Sequence, residues 1–346
     1  MSFDVKALKE MGHEVYFLAM YKSNSESYED VEPSILKGSP INFIIDIFNP
    51  GKKKELHRWP CFFHLAWKLF KIKPDLLLVK NLQGGLSFLS FVLGRFFAKR
   101  TVAMVQTEKH FISHPAKKIF KFVLKNFLNV QAIMTPLKNV SEKSDSWFVY
   151  QPFIIKADDF EKSYFADGNI NIIDIGKFQQ RKGHLVLLEA VRGLCKKYPI
   201  KLTIIGELYD EKVLSGIKNY IKENALTGIV EIKENLPHNE VLAMYRKYDL
   251  FVLPAEKEPA AYSLVEAMAA KLPIIASTTC GTSCYIENGE NGYIFKSGQA
   301  EDLADKIEKI IKDKDVLMAM SLKSFGMAST EHSLERFKKT IAEFLK

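Results

Sequence analysis

The feature that most constrains the fold is a rhythm in the second half of the chain. Short apolar runs at 170–175, 201–205, 229–232, 250–253 and 273–276 alternate with stretches of helical spacing near 184–197, 211–224, 238–247 and 263–270. Helices near 301–312 and 332–345 close the chain. Runs this short and this apolar read as strands buried on both faces. Their alternation with helices predicts an α/β fold with a doubly wound parallel sheet, which takes its ligand at the carboxyl ends of the strands. In the first half, runs at 41–45, 76–79, 101–106, 132–135 and 147–150 repeat the pattern less cleanly. The segment from Val5 to Gly12 reads as a helix ended by glycine, with a buried strand following to Leu18. Pro152, a charged stretch at 156–162 and Gly168 mark a linker. With 346 residues the chain has room for two cores. The expected division is a first domain at 1–150, a linker at 151–169, a second domain at 170–330 and a terminal helix at 331–346.

Two loops of the second half carry the chemistry. The apolar run 250–253 stops at Pro254, a loop bears Glu256 and Glu258, and Ser263-Leu-Val-Glu266 opens a helix through Ala269. Strand, loop and helix N-terminus present backbone N–H groups and a positive dipole end to an anion. Two carboxylates flanking such a site, Glu258 and Glu266, suit a ligand that also carries hydroxyls. Ser263 and Glu266 also have the spacing of a capping box, which would need no ligand. The other loop, Gly176-Lys177-Phe-Gln-Gln-Arg181-Lys182-Gly183-His184, is basic and lies between a strand and a helix. Gly206 ends another strand where backbone can approach a ligand, and Asn235-Leu236-Pro-His238 leads into a helix.

The stretch Glu258-Pro-Ala-Ala-Tyr-Ser-Leu-Val-Glu266-Ala-Met-Ala resembles the glutamate, seven residues, glutamate signature of retaining family-4 glycosyltransferases of GT-B fold. Ala260 and Ala261 stand where Phe and Gly are usual. The basic loop resembles the same family's Gly-Arg, variable loop, Lys-Gly motif. Lys182 matches its lysine by position, and either Lys177 or Arg181 supplies the other cation. The resemblance implies two Rossmann-like doubly wound domains facing a cleft, with the last helix packing back on the first domain. It implies a catalytic role for Glu258 at the donor sugar, with His110 the nearest match to a histidine of the first domain. Glu266 would bind ribose hydroxyls. Gly176, Lys177, Arg181, Lys182, Gly206, Asn235, Leu236, Ala261, Tyr262, Ser263 and Leu264 would complete the donor site. No cofactor or metal is implied beyond the nucleotide-diphosphate sugar itself, a UDP-sugar by default, and no Asp-x-Asp metal motif is expected in the chain. Cys280-Gly281-Thr-Ser-Cys284 resembles a later Gly-Gly-x-x-Glu turn, with Cys284 in place of the glutamate. The first strand and glycine loop usual in the family have no counterpart before Val5.

Charge narrows the partners. Residues 1–150 hold 22 Lys and Arg against 13 Asp and Glu, a net of +9, whereas the whole chain carries +8. The basic half therefore expects an anionic partner. No nucleic-acid motif accompanies it, so nucleic acid is not expected. The stretches 62–73 and 114–128 combine lysines with apolar residues; they read either as core helices with snorkelling lysines or as contacts to an anionic inner leaflet. Ile119, Phe120, Val123, Leu124 and Phe127 fall on one broad face of the latter. Four cysteines are too few for a secreted disulfide framework, and no apolar run has transmembrane length. A cytoplasmic enzyme, peripheral at the inner leaflet and acting on a glycan or lipid-linked acceptor, is the expectation. The rivals are a sugar-nucleotide epimerase or hydrolase using Glu108 and His110, and a non-catalytic nucleotide-sugar-binding relative.

Overall fold

A computed structural model describes residues 2–20, 31–39, 59–80, 82, 84–105, 115–138 and 147–345. The chain forms two compact units, one of Met1–Ile154 with Leu334–Lys346, the other of Ile155–Ser333.

The first unit contains α1 (Ser2–Glu10), β1 (Leu18–Ala19), β2 (Ser34–Ile35), α2 (Phe62–Ile72), β3 (Leu76–Lys80), α3 (Gly85–Phe97), β4 (Arg100–Met104), α4 (Pro115–Asn126), β5 (Val130–Thr135) and β6 (Phe148–Tyr150). Strands β3 to β6 pair in sequence order as a parallel sheet. One face of it packs Val102, Ala132 and Met134 on Ala7 of α1 and on Phe337 and Ile341 of the C-terminal helix. A second cluster joins Leu65 and Leu69 of α2 to Leu93 of α3. Two expectations need correction. The strand after Gly12 shrinks to Leu18–Ala19, half-buried and paired with Ser34–Ile35 rather than with the four-stranded sheet. The broad face read on α4 is split, since Leu124 is buried while Ile119 and Phe127 are exposed. The run 41–45 lies outside the described residues.

The second unit contains β7 (Ile170–Ile175), α5 (His184–Leu194), β8 (Ile200–Gly206), α6 (Glu211–Glu223), β9 (Val230–Glu234), α7 (His238–Met244), β10 (Leu250–Leu253), α8 (Tyr262–Ala269), β11 (Ile274–Ser277), β12 (Gly292–Phe295), α9 (Ala300–Ile311) and α10 (Lys314–Glu331). The remaining helix, α11 (Leu334–Leu345), belongs to the first unit. All strands of the second sheet are parallel in the order β12-β11-β10-β7-β8-β9. The chain winds outward from β7 through β8 and β9, returns to pair β10 on the other side of β7, and winds outward again. The carboxyl ends of β7 and β10 therefore flank a switch point, where neighbouring connections leave in opposite directions and open a crevice. Both chemical loops start there.

Helix α10 was not legible in the sequence. Its buried stripe is Leu317, Met320, Ser321, Ser324 and Ala328. Two of these are serines, bonded to the carbonyls of Lys271 (2.8 Å) and Asn291 (3.1 Å), so the stripe does not read as apolar.

The switch point is held tight by Gly183, which links the basic loop to α5 with φ 71°. A Cβ there would lie 2.2 Å from the carbonyl oxygen of Pro254, at the end of β10. Replacing Gly183 by Ala is expected to destabilise the second unit by roughly 2–4 kcal/mol, combining left-handed strain with a backbone clash. Chemical denaturation checks this; a loss below about 0.5 kcal/mol would contradict so close an approach.

Candidate active site

At the switch point a carboxylate meets two cations. Glu258 lies in the loop after β10, with its side chain only 9% exposed. Arg181 and Lys182 come from the loop after β7. Lys182 Nζ donates to Glu258 Oε2, and Arg181 Nη1 donates to the same oxygen at 3.1 Å. Arg181 is braced by Gln179 Oε1 (2.9 Å) and the Lys257 carbonyl (2.6 Å), while its own carbonyl accepts from the Glu256 N–H at 2.9 Å. The two loops are thus stitched together by backbone as well as charge. Glu258 is also fixed from behind, because its carbonyl accepts from the Gly281 N–H at 2.8 Å. A buried carboxylate needs such partners, since desolvation alone would disfavour its charge.

Glu266 occupies a different environment. It lies in α8, every residue of which from Leu264 to Ala269 is buried. Its Oε2 accepts from the Tyr245 hydroxyl at 3.0 Å, and its Oε1 contacts His238 Nε2 at 2.7 Å. Tyr245 is fully enclosed and also donates to the Ser263 carbonyl at 3.1 Å. Burial and the nearby Glu266 charge hold the Tyr245 hydroxyl well above its ordinary range, so it stays a donor. His238 is by contrast 70% exposed at its side chain. The capping-box reading is corrected here: α8 begins at Tyr262, Ala261 makes no side-chain cap, and Ser263 Oγ reaches the Ile175 carbonyl at 3.5 Å.

The other residues singled out in the second half fall into a connected set. Ser263 places the start of α8 beside the end of β7. Gly176 follows β7, and a Cβ on Gly206 would stand 2.3 Å from the Gly176 carbonyl oxygen. Asn235 donates its N–H to the Gly206 carbonyl (2.9 Å), and its side chain accepts from the Leu208 N–H (3.0 Å). Leu236 is half-buried beside it; Ala261 and Leu264 are buried, and Tyr262 is exposed. Lys177 turns to Glu207 at 2.6 Å, both side chains well exposed, so the structure groups it with neither glutamate. His110, Glu108 and the residues around them lie outside the described residues.

Sequence reasoning gave no role to the pair Asp174–His184. Asp174 Oδ2 and His184 Nδ1 are 2.7 Å apart, and both side chains are almost wholly enclosed. Burial pulls the imidazole down, but the charge and hydrogen bond of Asp174 outweigh it and leave the His184 pKa raised. His184 Nε2 contacts the Lys177 carbonyl at 3.2 Å, so the pair props the basic loop from beneath. A charged residue buried among the isoleucines of β7 was the available signal. Cys280 is buried against Thr282, and burial pushes its thiol up to about 11, which makes it unreactive at neutral pH. The expectation of no Asp-x-Asp needs correction, since Asp313-Lys-Asp315 has that spacing; it caps α10, with the Asp313 side chain accepting from the N–H groups of Asp315 and Val316. Among the described residues no cluster of three or more His, Cys, Asp or Glu could hold a metal. A cavity of about 940 Å³ opens at the opposite end of this sheet, beside Asn171, Lys201 and Asp249 at the strand N-termini, away from both loops.

The fold class is that of GT-B glycosyltransferases, α/β with parallel sheets in both units. Residues 155–326 match the family model described as glycosyl transferases group 1. The capsular polysaccharide biosynthesis glycosyltransferase CapM of Staphylococcus aureus is 26% identical over 176 residues, covering 50% of this chain and 45% of that protein. The D-inositol 3-phosphate glycosyltransferase of Paenarthrobacter aurescens (strain TC1) is 26% identical over 187 residues, covering 51% and 46%. The chain thus spans about half the length of the curated relatives it matches. Among solved structures, a glycosyltransferase from Rickettsia africae ESF-5 superposes with a TM-score of 0.78 at 16% identity, covering 99% of this chain and 92% of that one. Anabaena HepE in complex with UDP gives 0.64 at 16% identity, covering 82% and 81%.

The His238–Glu266 contact has a pH signature. The hydrogen bond to Glu266 raises the His238 pKa above its ordinary value near 6.5, against a smaller opposing effect of burial. A raised histidine pKa contributes stability that is complete below the ordinary value and disappears as pH rises through the raised one. His238→Ala is therefore expected to lower the melting temperature most at acidic pH and least at alkaline pH. Melting curves of both proteins across that range check it, and a pH-independent difference would contradict it.

Proposed function

We propose that this chain is a retaining, metal-independent glycosyltransferase. It moves a sugar from a nucleotide-diphosphate donor, a UDP-sugar by default, to a glycan or lipid-linked acceptor in bacterial surface polysaccharide synthesis. The observation that carries this is the convergence of Arg181 and Lys182 on Glu258 at the switch point, a few residues before the N-terminus of α8. A diphosphate arriving there finds two cations and the first-turn amides of Tyr262, Ser263 and Leu264, and takes the cations from Glu258. Glu258 is then released to meet hydroxyls of the donor sugar and the positive charge developing at its anomeric carbon. Glu266, held by Tyr245, binds the ribose hydroxyls, and the ribose displaces or shares His238.

In this reading the bond from the anomeric carbon to the diphosphate oxygen breaks as the bond to the acceptor oxygen forms on the same face. The acceptor proton passes to the departing phosphate oxygen. Arg181 and Lys182 stabilise the charge that gathers on the leaving group, so no separate general acid of the glycosidase kind is required. The similarity to CapM, a capsular polysaccharide biosynthesis glycosyltransferase, and to HepE, whose structure holds UDP, supports the process and the donor base. The net charge of +9 over residues 1–150 supports a cytoplasmic site of action at an anionic inner leaflet.

Calorimetric titration with UDP, GDP, ADP and TDP, paired with a transfer assay, tests the reading. Lys182→Ala is expected to weaken binding of the preferred nucleotide by about tenfold to a hundredfold, the worth of a charge-assisted phosphate contact. Glu258→Gln is expected to keep nucleotide binding, because it frees Lys182 and Arg181, while transfer falls by at least about a hundredfold. Undiminished transfer in the Glu258 variant, or no nucleotide bound by the folded wild type, would sink the proposal.

A further inference from the structure

Helices α2, α3 and α4 of the first unit carry not one aspartate or glutamate. Helix α2 buries Leu65 and Leu69 against α3, yet turns Phe63, Trp67 and Phe70 outward, 80%, 52% and 53% exposed. Their spacing of four and then three residues puts them on one stripe. The stripe is ordered: Phe70 meets Phe97 of α3 edge-on at 6.2 Å, and the Lys68 and Lys73 ammonium groups lie 5.7 and 5.5 Å from the Trp67 and Phe70 rings. Helix α3 adds exposed Phe88 and Phe96, and α4 adds Ile119 and Phe122, with Phe127 just beyond it. Lys71, Lys73, Arg95 and Lys125 are exposed among these rings. An apolar cavity of about 370 Å³ opens between α3 and α4, lined wholly by uncharged residues that include Trp59, Phe88, Phe91 and Leu124.

So many outward aromatic side chains in one region mark a surface that something covers. The charge pattern selects the occupant. A second copy docking by the same face would bring two sets of acid-free, cation-bearing helices together, and the like charges would oppose it. An anionic bilayer suits both components. Aromatic rings settle at the boundary between headgroups and acyl chains, and lysines reach the phosphates above them.

We propose that the face formed by α2 and α3, extended by α4, docks on a bilayer rich in anionic lipid, with Phe63, Trp67 and Phe70 inserted at the headgroup boundary. The proposal rests on the function above only for what the bilayer carries, a lipid-linked acceptor; the surface stands on its own observations. Insertion of this kind is monotopic, in keeping with the finding that no described helix is long and apolar enough to cross a membrane.

Sedimentation of the full chain with vesicles tests it, using phosphatidylglycerol mixed into phosphatidylcholine against phosphatidylcholine alone. The wild type is expected to pellet with the anionic vesicles and to be released as salt rises. Replacing Phe63, Trp67 and Phe70 together by Ser is expected to weaken partitioning by at least about tenfold. These side chains are each more than half exposed, so the variant should keep its circular dichroism spectrum. Lipids brominated on their acyl chains are expected to quench wild-type tryptophan emission, and Trp67→Phe should remove most of that quenching. Anionic vesicles bound equally by the triple variant would overturn the proposal. So would a wild type left in the supernatant, or a dimer that the triple variant dissociates. Nucleotide titration of the same preparations separates the two readings: vesicle binding without nucleotide binding rejects the donor site alone, and the reverse rejects only this surface.

Discussion

The second unit depends on one electrostatic arrangement, a buried carboxylate shared by two cations from a neighbouring loop. Lys182 and Arg181 both bond one oxygen of the enclosed Glu258, which ties the side chains of the basic loop to the loop after β10 in addition to the backbone bonds between them. Removing one member of a buried pair typically costs about 3–5 kcal/mol because the other is left uncompensated. In the proposed function the same arrangement would supply the recognition chemistry, since cations that hold a carboxylate can be claimed by a diphosphate of greater charge. Strand order is what brings the two loops together: β7 and β10 are far apart in sequence and adjacent in the sheet.

The rest of the second unit works to keep that crevice narrow and shaped. Glycine permits the backbone of the basic loop to press against β10 at Gly183 and against β8 at Gly206. Beneath the loop, the enclosed Asp174–His184 pair sets its height. Behind the crevice, Tyr245 fixes the rotamer of Glu266 through a hydroxyl that burial keeps protonated. The two glutamates are therefore prepared for different tasks by their surroundings. One faces two cations at the mouth, and the other is held in a helix with an exposed imidazole over it.

Most of the second sheet was legible because its strands are apolar runs bounded by Gly or Pro. Strands β7 and β10 occupy the residues the runs suggested, 170–175 and 250–253. The side-chain constellation was legible in part. Spacing suggested that Glu258 and Glu266 flank one site, but the pattern around Ser263 also fitted a cap that the structure does not form. The partners of Glu266 were invisible, because Tyr245 and His238 reach it across a gap of some twenty residues or more that no local pattern encodes. Helix α10 was hidden by buried serines. On α2, periodicity showed an apolar helix but could not choose its inward side, as both Leu65–Leu69 and Phe63–Trp67–Phe70 form apolar stripes. Packing against α3 made that choice.

The central claim is that the switch point between β7 and β10 is the nucleotide-sugar site. A crystal structure of the chain with bound UDP tests it most directly. The account predicts diphosphate oxygens within about 3 Å of Arg181, Lys182 and the first amides of α8, the Lys182 ammonium drawn away from Glu258, and a ribose hydroxyl on Glu266. UDP lodged instead in the cavity beside Asn171 and Asp249, with Lys182 still on Glu258, would contradict it.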